Sequence, residues 1–185
     1  MDDQTNPWKT LTSEMIYESA WISISKHDVI NPAGKDGLYS VVHFKNLALG
    51  IIPLDKDYNT WIVGQFRYPL NQYSWEIVEG GGEFDVSPIE SAQRELLEET
   101  GIKANKYTPL IELHTSNSAT DEHAIVFIAQ DLSFHESEPE ETEMLKVRKI
   151  HFNDLFEMVL RGEITDAISV AAIYKAKILI DRREI

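Results

Sequence analysis

The sequence predicts a mixed α/β (α+β) fold, and three observations predict it. Short runs of alternating or continuous apolar residues fill most of the first 80 positions, which is typical of strands. One amphipathic helical pattern follows at 88–100, and two more end the chain after position 152. A chain of 185 residues is long enough for one ordinary domain with a small appendage.

The strand predictions follow the apolar patterns in chain order. Residues 1–13 are polar and indicate a loose arm, and a turn cluster lies at 31–37. Strands are predicted at 15–29, 38–45, 47–54, 61–68, 107–114 and 124–130. We expect an N-terminal β unit at 1–46 and the main domain at 47–185.

The composition argues against several classes of protein. A formal net charge of −14 disfavours a surface for nucleic acid, and no run approaches the roughly 18 apolar residues that span a membrane. The absence of cysteine removes disulfides and thiolate chemistry, and it fits a reducing compartment. We therefore expect a cytoplasmic protein without nucleic acid or membrane partners.

The stretch 80–102, GGGEFDVSPIESAQRELLEETGI, carries the strongest chemical pattern. After a glycine-rich loop, Ser87 is predicted as the N-cap, Pro88 as the first helical residue and Glu90 as the partner in a capping box. Gly101 provides the left-handed stop. The predicted inward stripe consists of Ile89, Ala92, Gln93, Leu96 and Leu97.

Three carboxylates share one face of this helix, because Glu95, Glu98 and Glu99 stand at positions i, i+3 and i+4. Like charges so placed repel by a few tenths of a kcal/mol per pair. Mg²⁺ would turn this cost into a set of hard oxygen ligands with room for phosphate oxygens. The pair Glu98-Glu99 considered alone is equally typical of a solvated helix end.

The same stretch resembles the Nudix hydrolase signature G-x5-E-x7-R-E-U-x-E-E-x-G-U, in which U is apolar. The matching residues are Gly80, Arg94, Glu95, Leu96, Glu98, Glu99, Gly101 and Ile102. One position departs, since Val86 stands where the family has a glutamate that supports the helix arginine. We expect Arg94 to act as structural support and to pair with another acid. The candidates are Glu83, Asp85 and Glu90.

Flanking segments resemble the ADP-ribose pyrophosphatase branch of this family: QFRYP at 65–69, WEIVEGG at 75–81, TDE at 120–122 and GEITDA at 162–167. The resemblance assigns packing to the last segment and a metal-binding backbone carbonyl to Glu79. It assigns substrate binding to Arg67, Glu76, Gly80, Gly81 and Glu122. Taken by themselves, Arg67 also fits a surface arginine and Glu122 a turn-exposed acid.

A glutamate cluster at 136–143 is typical of a solvated flexible loop when considered alone. In the branch that the chain resembles, a mobile loop before the last strand supplies a base and a further metal ligand. By position, Glu141 would be the base and Glu143 the ligand, while Glu140 could replace either.

The resemblance implies a Nudix fold, an α/β/α sandwich with a mixed sheet, together with a small antiparallel β unit that forms a homodimer. It implies Mg²⁺-dependent hydrolysis of ADP-ribose to AMP and ribose 5-phosphate, and Mn²⁺ could substitute. The implied metal ligands are Glu79, Glu95, Glu98, Glu99 and Glu143, and the implied catalytic residues are Glu141, Glu99 and Glu95.

Two alternatives stay open at this point. The substrate could be a nucleotide sugar of the GDP-mannose type or a dinucleoside polyphosphate. Val86 could instead mark a degenerate member that senses a nucleotide metabolite without cleaving it. The aromatic residues available to stack a base across a dimer are Trp8, Tyr17 and Trp21.

Overall fold

The computed structural model describes residues 4–136 and 145–185, and its backbone contacts divide the chain into two units. The first unit comprises the residues up to Asn46 together with Ser116–Glu122. The second comprises Leu47–Thr115 and His123–Ile185. Among the described residues, none of the helices is both long and apolar enough to cross a membrane.

The first unit is an antiparallel sheet in the order β1-β2-β3. Its strands are β1 (Lys9–Glu18), β2 (Ile22–Ile30) and β3 (Asp36–Phe44). The predicted loose arm is wrong from residue 9 onward, and the predicted strand 15–29 is two strands joined by a turn at 19–21. Every residue of β1 is exposed, so no buried face imposes the alternation on which the sequence prediction depended.

The second unit contains two sheets. One is four-stranded in the order β7-β4-β9-β8, with β4 parallel to β9, and the other is three-stranded in the order β10-β5-β6. A 3₁₀ turn at Tyr68–Leu70 joins β5 to β6. The strands are β4 (Leu47–Pro53), β5 (Asn59–Arg67), β6 (Gln72–Glu76), β7 (Val78–Gly82), β8 (Ile102–His114), β9 (His123–Phe134) and β10 (Lys146–His151).

In the described part of this unit, three helices cover the strands: α1 (Pro88–Thr100), α2 (Phe152–Leu160) and α3 (Ala167–Asp181). β4 is buried on both faces, with Leu49 and Ile51 in the core cluster under α1 and Ile52 in the cluster with α2 and α3. Helices therefore lie on both sides of a mixed sheet, which confirms the predicted α/β/α sandwich.

Candidate active site

Helix α1 begins and ends where the sequence predicts, but its N-terminal cap differs. Ser87 is the N-cap residue, yet its side chain makes no capping hydrogen bond, so the predicted capping box with Glu90 is wrong. Its backbone carbonyl accepts the Ser91 N–H at 3.0 Å, and Pro88 fills a position whose N–H would be unsatisfied. Gly101, at φ 68°, ends the helix as predicted.

The buried face of α1 includes an acid that the predicted stripe did not. Ala92 and Leu96 are fully buried as predicted, whereas Ile89 is exposed. Ser91 and Glu99 are buried instead, and Glu99 is 5% exposed. The last carboxylate of the acidic face is therefore held inside the protein.

The glycines before the helix form a strand rather than a loop. β7 pairs with β4, and Gly80 lies opposite Leu49. A Cβ atom added at Gly80 would lie 2.1 Å from Cδ of Glu95, closer than any real contact. Glycine is required here because the Glu95 side chain packs directly on the strand backbone.

Arg94 gathers the acidic face to this strand. Its Nη2 donates to the Gly81 carbonyl at 2.9 Å and to Glu95 Oε1 at 2.7 Å, and its Nη1 donates to Glu98 Oε2 at 2.7 Å. The predicted partners at 83, 85 and 90 are therefore wrong. With valine at position 86, the guanidinium binds acids of its own helix: Glu98 is a surface neighbour at i+4, and the long Arg94 side chain also contacts Glu95 at i+1.

Burial and the neighbouring charges shift the pKa of Glu95 in opposite directions. Burial raises the pKa of Glu95, although the Arg94 guanidinium lowers it in part and the carboxylate of Glu98 raises it further. A second cation at this face would favour the charged form of Glu95 in the same way as Arg94 does.

Arg67 and Glu76 form a second clamp on the β5–β6 hairpin. Arg67 Nε donates to both carboxylate oxygens of Glu76 at 3.0 and 3.1 Å, and Nη2 adds a third bond. Glu76 is 3% exposed, so its carboxylate is committed to Arg67. The pair lines a cavity of about 310 Å³ beside Thr165 and Asp166 at the start of α3.

The sequence prediction missed a polar link between β7 and α3. Ser169 Oγ donates to Glu79 Oε1 at 2.8 Å and accepts the Ile77 N–H at 3.0 Å. The Ser169 N–H donates to Asp166 Oδ2 at 2.7 Å, which caps α3. Burial and the nearby Asp166 carboxylate raise the pKa of Glu79 well above its usual value. The segment 162–167 therefore also makes polar contacts, because Asp166 caps α3 and lies near Glu79. In the sequence, an aspartate at a helix N-cap position was the only signal of these contacts.

Four predicted residues lie outside the two clusters described so far or outside the described part of the chain. Glu122 belongs to the loop Ser116–Glu122, which groups with the N-terminal unit. Glu140, Glu141 and Glu143 lie outside the described residues. Residues 4–136 and 145–185 contain no three acidic or histidine side chains arranged to hold a metal ion.

The donor chemistry on α1 nevertheless suits a hard divalent cation. Glu95 and Glu98 both contact one guanidinium, so their carboxylates already lie within a few ångströms of a single positive group. Carboxylate oxygens such as those of Glu95 and Glu98 are the donors that hard divalent cations prefer. In this arrangement, a metal ion would share these two carboxylates with Arg94.

Comparison with known proteins identifies the family. A model of the NUDIX domain matches residues 45–172, and a model of the nucleoside diphosphate sugar hydrolase N-terminal domain matches residues 8–42. The first match covers more than half of the chain and includes α1 with its acidic face. The chain belongs to the Nudix family and is a Nudix hydrolase.

Curated relatives and solved structures agree with this assignment. The chain is 33% identical to an ADP-ribose pyrophosphatase of Bacillus subtilis, over 89% of this chain and 90% of that protein. It is 30% identical to an ADP-ribose pyrophosphatase of Mycobacterium tuberculosis, over 90% of this chain and 81% of that protein. A crystal structure of an ADP compounds hydrolase matches with a TM-score of 0.87 and 21% identity, over 98% of each chain, which shows the shared fold.

Proposed function

We propose that this Nudix hydrolase cleaves the pyrophosphate of ADP-ribose to give AMP and ribose 5-phosphate, with Mg²⁺ as its metal. The observation that carries the proposal is the acidic face of α1, held by Arg94 against the strand 78–82. The relatives that are ADP-ribose pyrophosphatases match nearly the whole chain, which supports ADP-ribose as the substrate. The absence of cysteine supports a cytoplasmic location.

The proposed site divides the work between two clusters. Divalent ions bound by Glu95, Glu98 and Glu99 would neutralise charge on the phosphoryl oxygens and acidify a water molecule. Arg67 would bind an anionic group of the substrate with the part of its guanidinium that does not bind Glu76. Glu141 would take the proton from the attacking water, and Glu143 would add a metal ligand.

The first experiment measures AMP formation from ADP-ribose with Mg²⁺ in the wild type, Glu99→Gln and Glu90→Gln. Glu90 is an exposed acid on the same helix, so its variant is the matched control. We expect Glu99→Gln to lose at least about 10²-fold in rate and Glu90→Gln to keep the wild-type rate. Equal rates for all three proteins would refute the proposed metal site.

The same assay decides between substrates. Initial rates on GDP-mannose and on a dinucleoside polyphosphate, measured beside ADP-ribose, show which leaving group the enzyme prefers. Binding of ADP-ribose without cleavage of any nucleotide in the panel would instead support a sensor. The bonds of Arg94 to Glu95 and Glu98 argue against a sensor, because they hold the acidic face together without a glutamate at position 86.

The base is tested by Glu141→Gln with Glu140→Gln as the neighbouring control. Loss of a general base costs about 10² to 10⁴ in rate, or about 3–5 kcal/mol of barrier. We expect this loss only in Glu141→Gln. A loss confined to Glu140→Gln would move the base by one position.

We also propose that the N-terminal sheet mediates a homodimer. All ten residues of β1 are exposed, and the large apolar side chains among them are Leu11, Met15, Ile16 and Tyr17. Trp21 is 71% exposed and is therefore available to stack a base, whereas Trp8 packs edge-on against Tyr39 at 5.4 Å. A monodisperse monomer in light scattering at micromolar concentration would contradict the dimer.

A further inference from the structure

A line of hydrogen bonds crosses the N-terminal unit. Asp121 Oδ2 lies 2.6 Å from His43 Nδ1, and His43 Nε2 lies 2.7 Å from Ser25 Oγ. The same hydroxyl lies 2.7 Å from His27 Nε2. Four polar side chains from β2, β3 and the loop Ser116–Glu122 are thus connected in series.

This line is not a nucleophilic site, although an aspartate, a histidine and a serine follow one another as in serine hydrolases. Ser25 is 4% exposed, so its hydroxyl cannot reach a substrate. It lies in the middle strand of the sheet, paired with Met15 on one side and Val41 on the other, where backbone N–H groups serve the sheet rather than an oxyanion. The line must therefore have a positioning role.

The aspartate fastens the loop Ser116–Glu122 to β3. The Phe44 N–H donates to Asp121 Oδ1 at 2.9 Å, while Oδ2 contacts the His43 ring. Backbone bonds support the same attachment, because the Val42 N–H donates to the Ala119 carbonyl at 2.9 Å and the Asp121 N–H donates to the Val42 carbonyl at 3.2 Å. Both oxygens of one carboxylate are thus used to hold the loop.

The charge on Asp121 determines where the protons of this line lie. Partial burial by itself would raise the pKa of Asp121, but the Phe44 N–H and His43 hold it below its usual value. An ionised carboxylate only accepts, so Nδ1 of His43 donates to Asp121, and Nε2 of a ring with this single proton accepts the Ser25 hydroxyl. Ser25 Oγ then accepts from His27 Nε2–H.

We propose that Asp121 is a positioning residue of the hydrolase, which fixes the loop Ser116–Glu122 on β3 and sets the tautomers of His43 and His27 through Ser25. Because Glu122 follows Asp121 directly in the chain, this attachment also holds the backbone from which the Glu122 side chain extends. The inference rests on the proposed function at one point, namely the contact of Glu122 with the substrate.

The first test uses Asp121→Asn, which preserves the size of the side chain. The amide oxygen still accepts the Phe44 N–H, but the amide nitrogen is a donor and faces His43 Nδ1. We expect the proton of His43 to move to Nε2 and that of His27 to move to Nδ1. Proton–nitrogen correlation spectra of ¹⁵N-labelled protein distinguish the two ring tautomers directly.

The matched control is Asp28→Asn, which changes an exposed acid of the same sheet that accepts a bond from Thr12 at 2.7 Å. We expect wild-type tautomers in this control. A wild-type His43 with its proton on Nε2, or an equal tautomer change in the control, would overturn the proposal. Amide exchange adds a second measurement: protection of the Phe44 N–H should fall in Asp121→Ala and stay unchanged in Asp28→Asn.

Kinetics separate this proposal from the proposed function. In Asp121→Ala we expect KM for ADP-ribose to rise roughly tenfold with kcat nearly unchanged, since a substrate-binding contact is lost rather than a reacting group. An unchanged KM in an active protein would refute the positioning role. If the wild type cleaves no ADP-ribose while the spectra reverse as expected, the proposed function fails and the attachment of the loop stands.

Discussion

Arg67 and Arg94 both bind carboxylates in the second unit, and they do so in opposite ways. Arg67 directs its fork at one acid, Glu76, which is almost completely buried. Arg94 is about half exposed and divides its fork between two acids and a carbonyl, through bonds to Glu95, Glu98 and Gly81.

The difference predicts that Arg67 contributes more to stability than Arg94 does. A buried carboxylate with one partner depends on that partner for its charge, so Arg67 is needed for the fold around Glu76. Glu95 and Glu98 keep 13% and 33% of their side chains exposed, so Arg94 contributes less to stability and more to the placement of these acids. The variants Arg67→Met and Arg94→Met test the two sides of this contrast, and two variants at other positions follow them.

The largest effect is expected for Arg67→Met. Removing the partner strands the charge of Glu76 in the interior, so the free energy of unfolding should fall by about 3–5 kcal/mol. Urea denaturation measures this loss. The double variant Arg67→Met, Glu76→Gln should recover more than half of it, and a loss below about 1 kcal/mol in the single variant would place the pair with exposed salt bridges.

For Arg94→Met we expect a small loss of stability and a large loss of activity. Ion pairs near the surface contribute about 0–1 kcal/mol, and Glu95 and Glu98 are less buried than Glu76, so the free energy of unfolding should fall by less than in Arg67→Met. Misplaced acids at a reacting centre cost about 10²-fold, and we expect kcat/KM for ADP-ribose to fall by about that factor. Arg161→Met, which removes an exposed ion pair with Glu163, is the control and should be fully active. Wild-type activity in Arg94→Met would contradict its supporting role.

Gly80→Ala tests the strand on which Arg94 places the acids. The added Cβ would overlap Glu95, so this side chain must rotate away from the strand. We expect about a tenfold loss in kcat/KM, together with a higher Mg²⁺ requirement, because one carboxylate leaves its position. Gly37→Ala is the control, since its added Cβ would meet Val29 at 3.5 Å, an ordinary contact. Equal activity in both variants would show that the close approach is not needed.

The smallest effect concerns Tyr107, whose burial raises its pKa from 10.0 to about 12. Between these values the unfolded chain loses the phenolic proton and the folded protein keeps it, so stability should fall as pH rises from about 10 to about 12. Tyr107→Phe should remove this part of the pH dependence in urea denaturation. Tyr68, which is 90% exposed, provides the control variant Tyr68→Phe, which should leave it unchanged.

The helix and its acidic face could be predicted because their information is local. Three glutamates at i, i+3 and i+4 share a helix face whatever surrounds them, and Gly101 ends the helix by its own backbone preference. The partners of Arg94 could not be predicted, since a long flexible side chain reaches acids on its own helix as easily as acids before it. Val86 led to a wrong prediction, because the missing glutamate suggested that another acid close to position 86 must pair with Arg94.

Contacts between residues that are far apart in the sequence also could not be predicted. Ser169 of α3 binds Glu79, which lies 90 positions earlier in the sequence, and no spacing rule connects these two positions. β1 escaped prediction for a different reason, because a strand exposed on every residue has no periodic burial to reveal it. The serine, histidine and aspartate of the N-terminal unit come together only when the loop Ser116–Glu122 lies on β3.

The parallel pairing of β4 with β9 has a consequence for how the chain is made. Ala48 pairs with Ala124, so β4, an inner strand of the four-stranded sheet, can pair with β9 only after a much later part of the chain has been synthesised. Non-local parallel pairing forms slowly, and until then Leu49, Ile51 and Ile52 are exposed to other chains. We expect refolding yield to fall steeply with protein concentration, with aggregation through this apolar strand as the competing reaction.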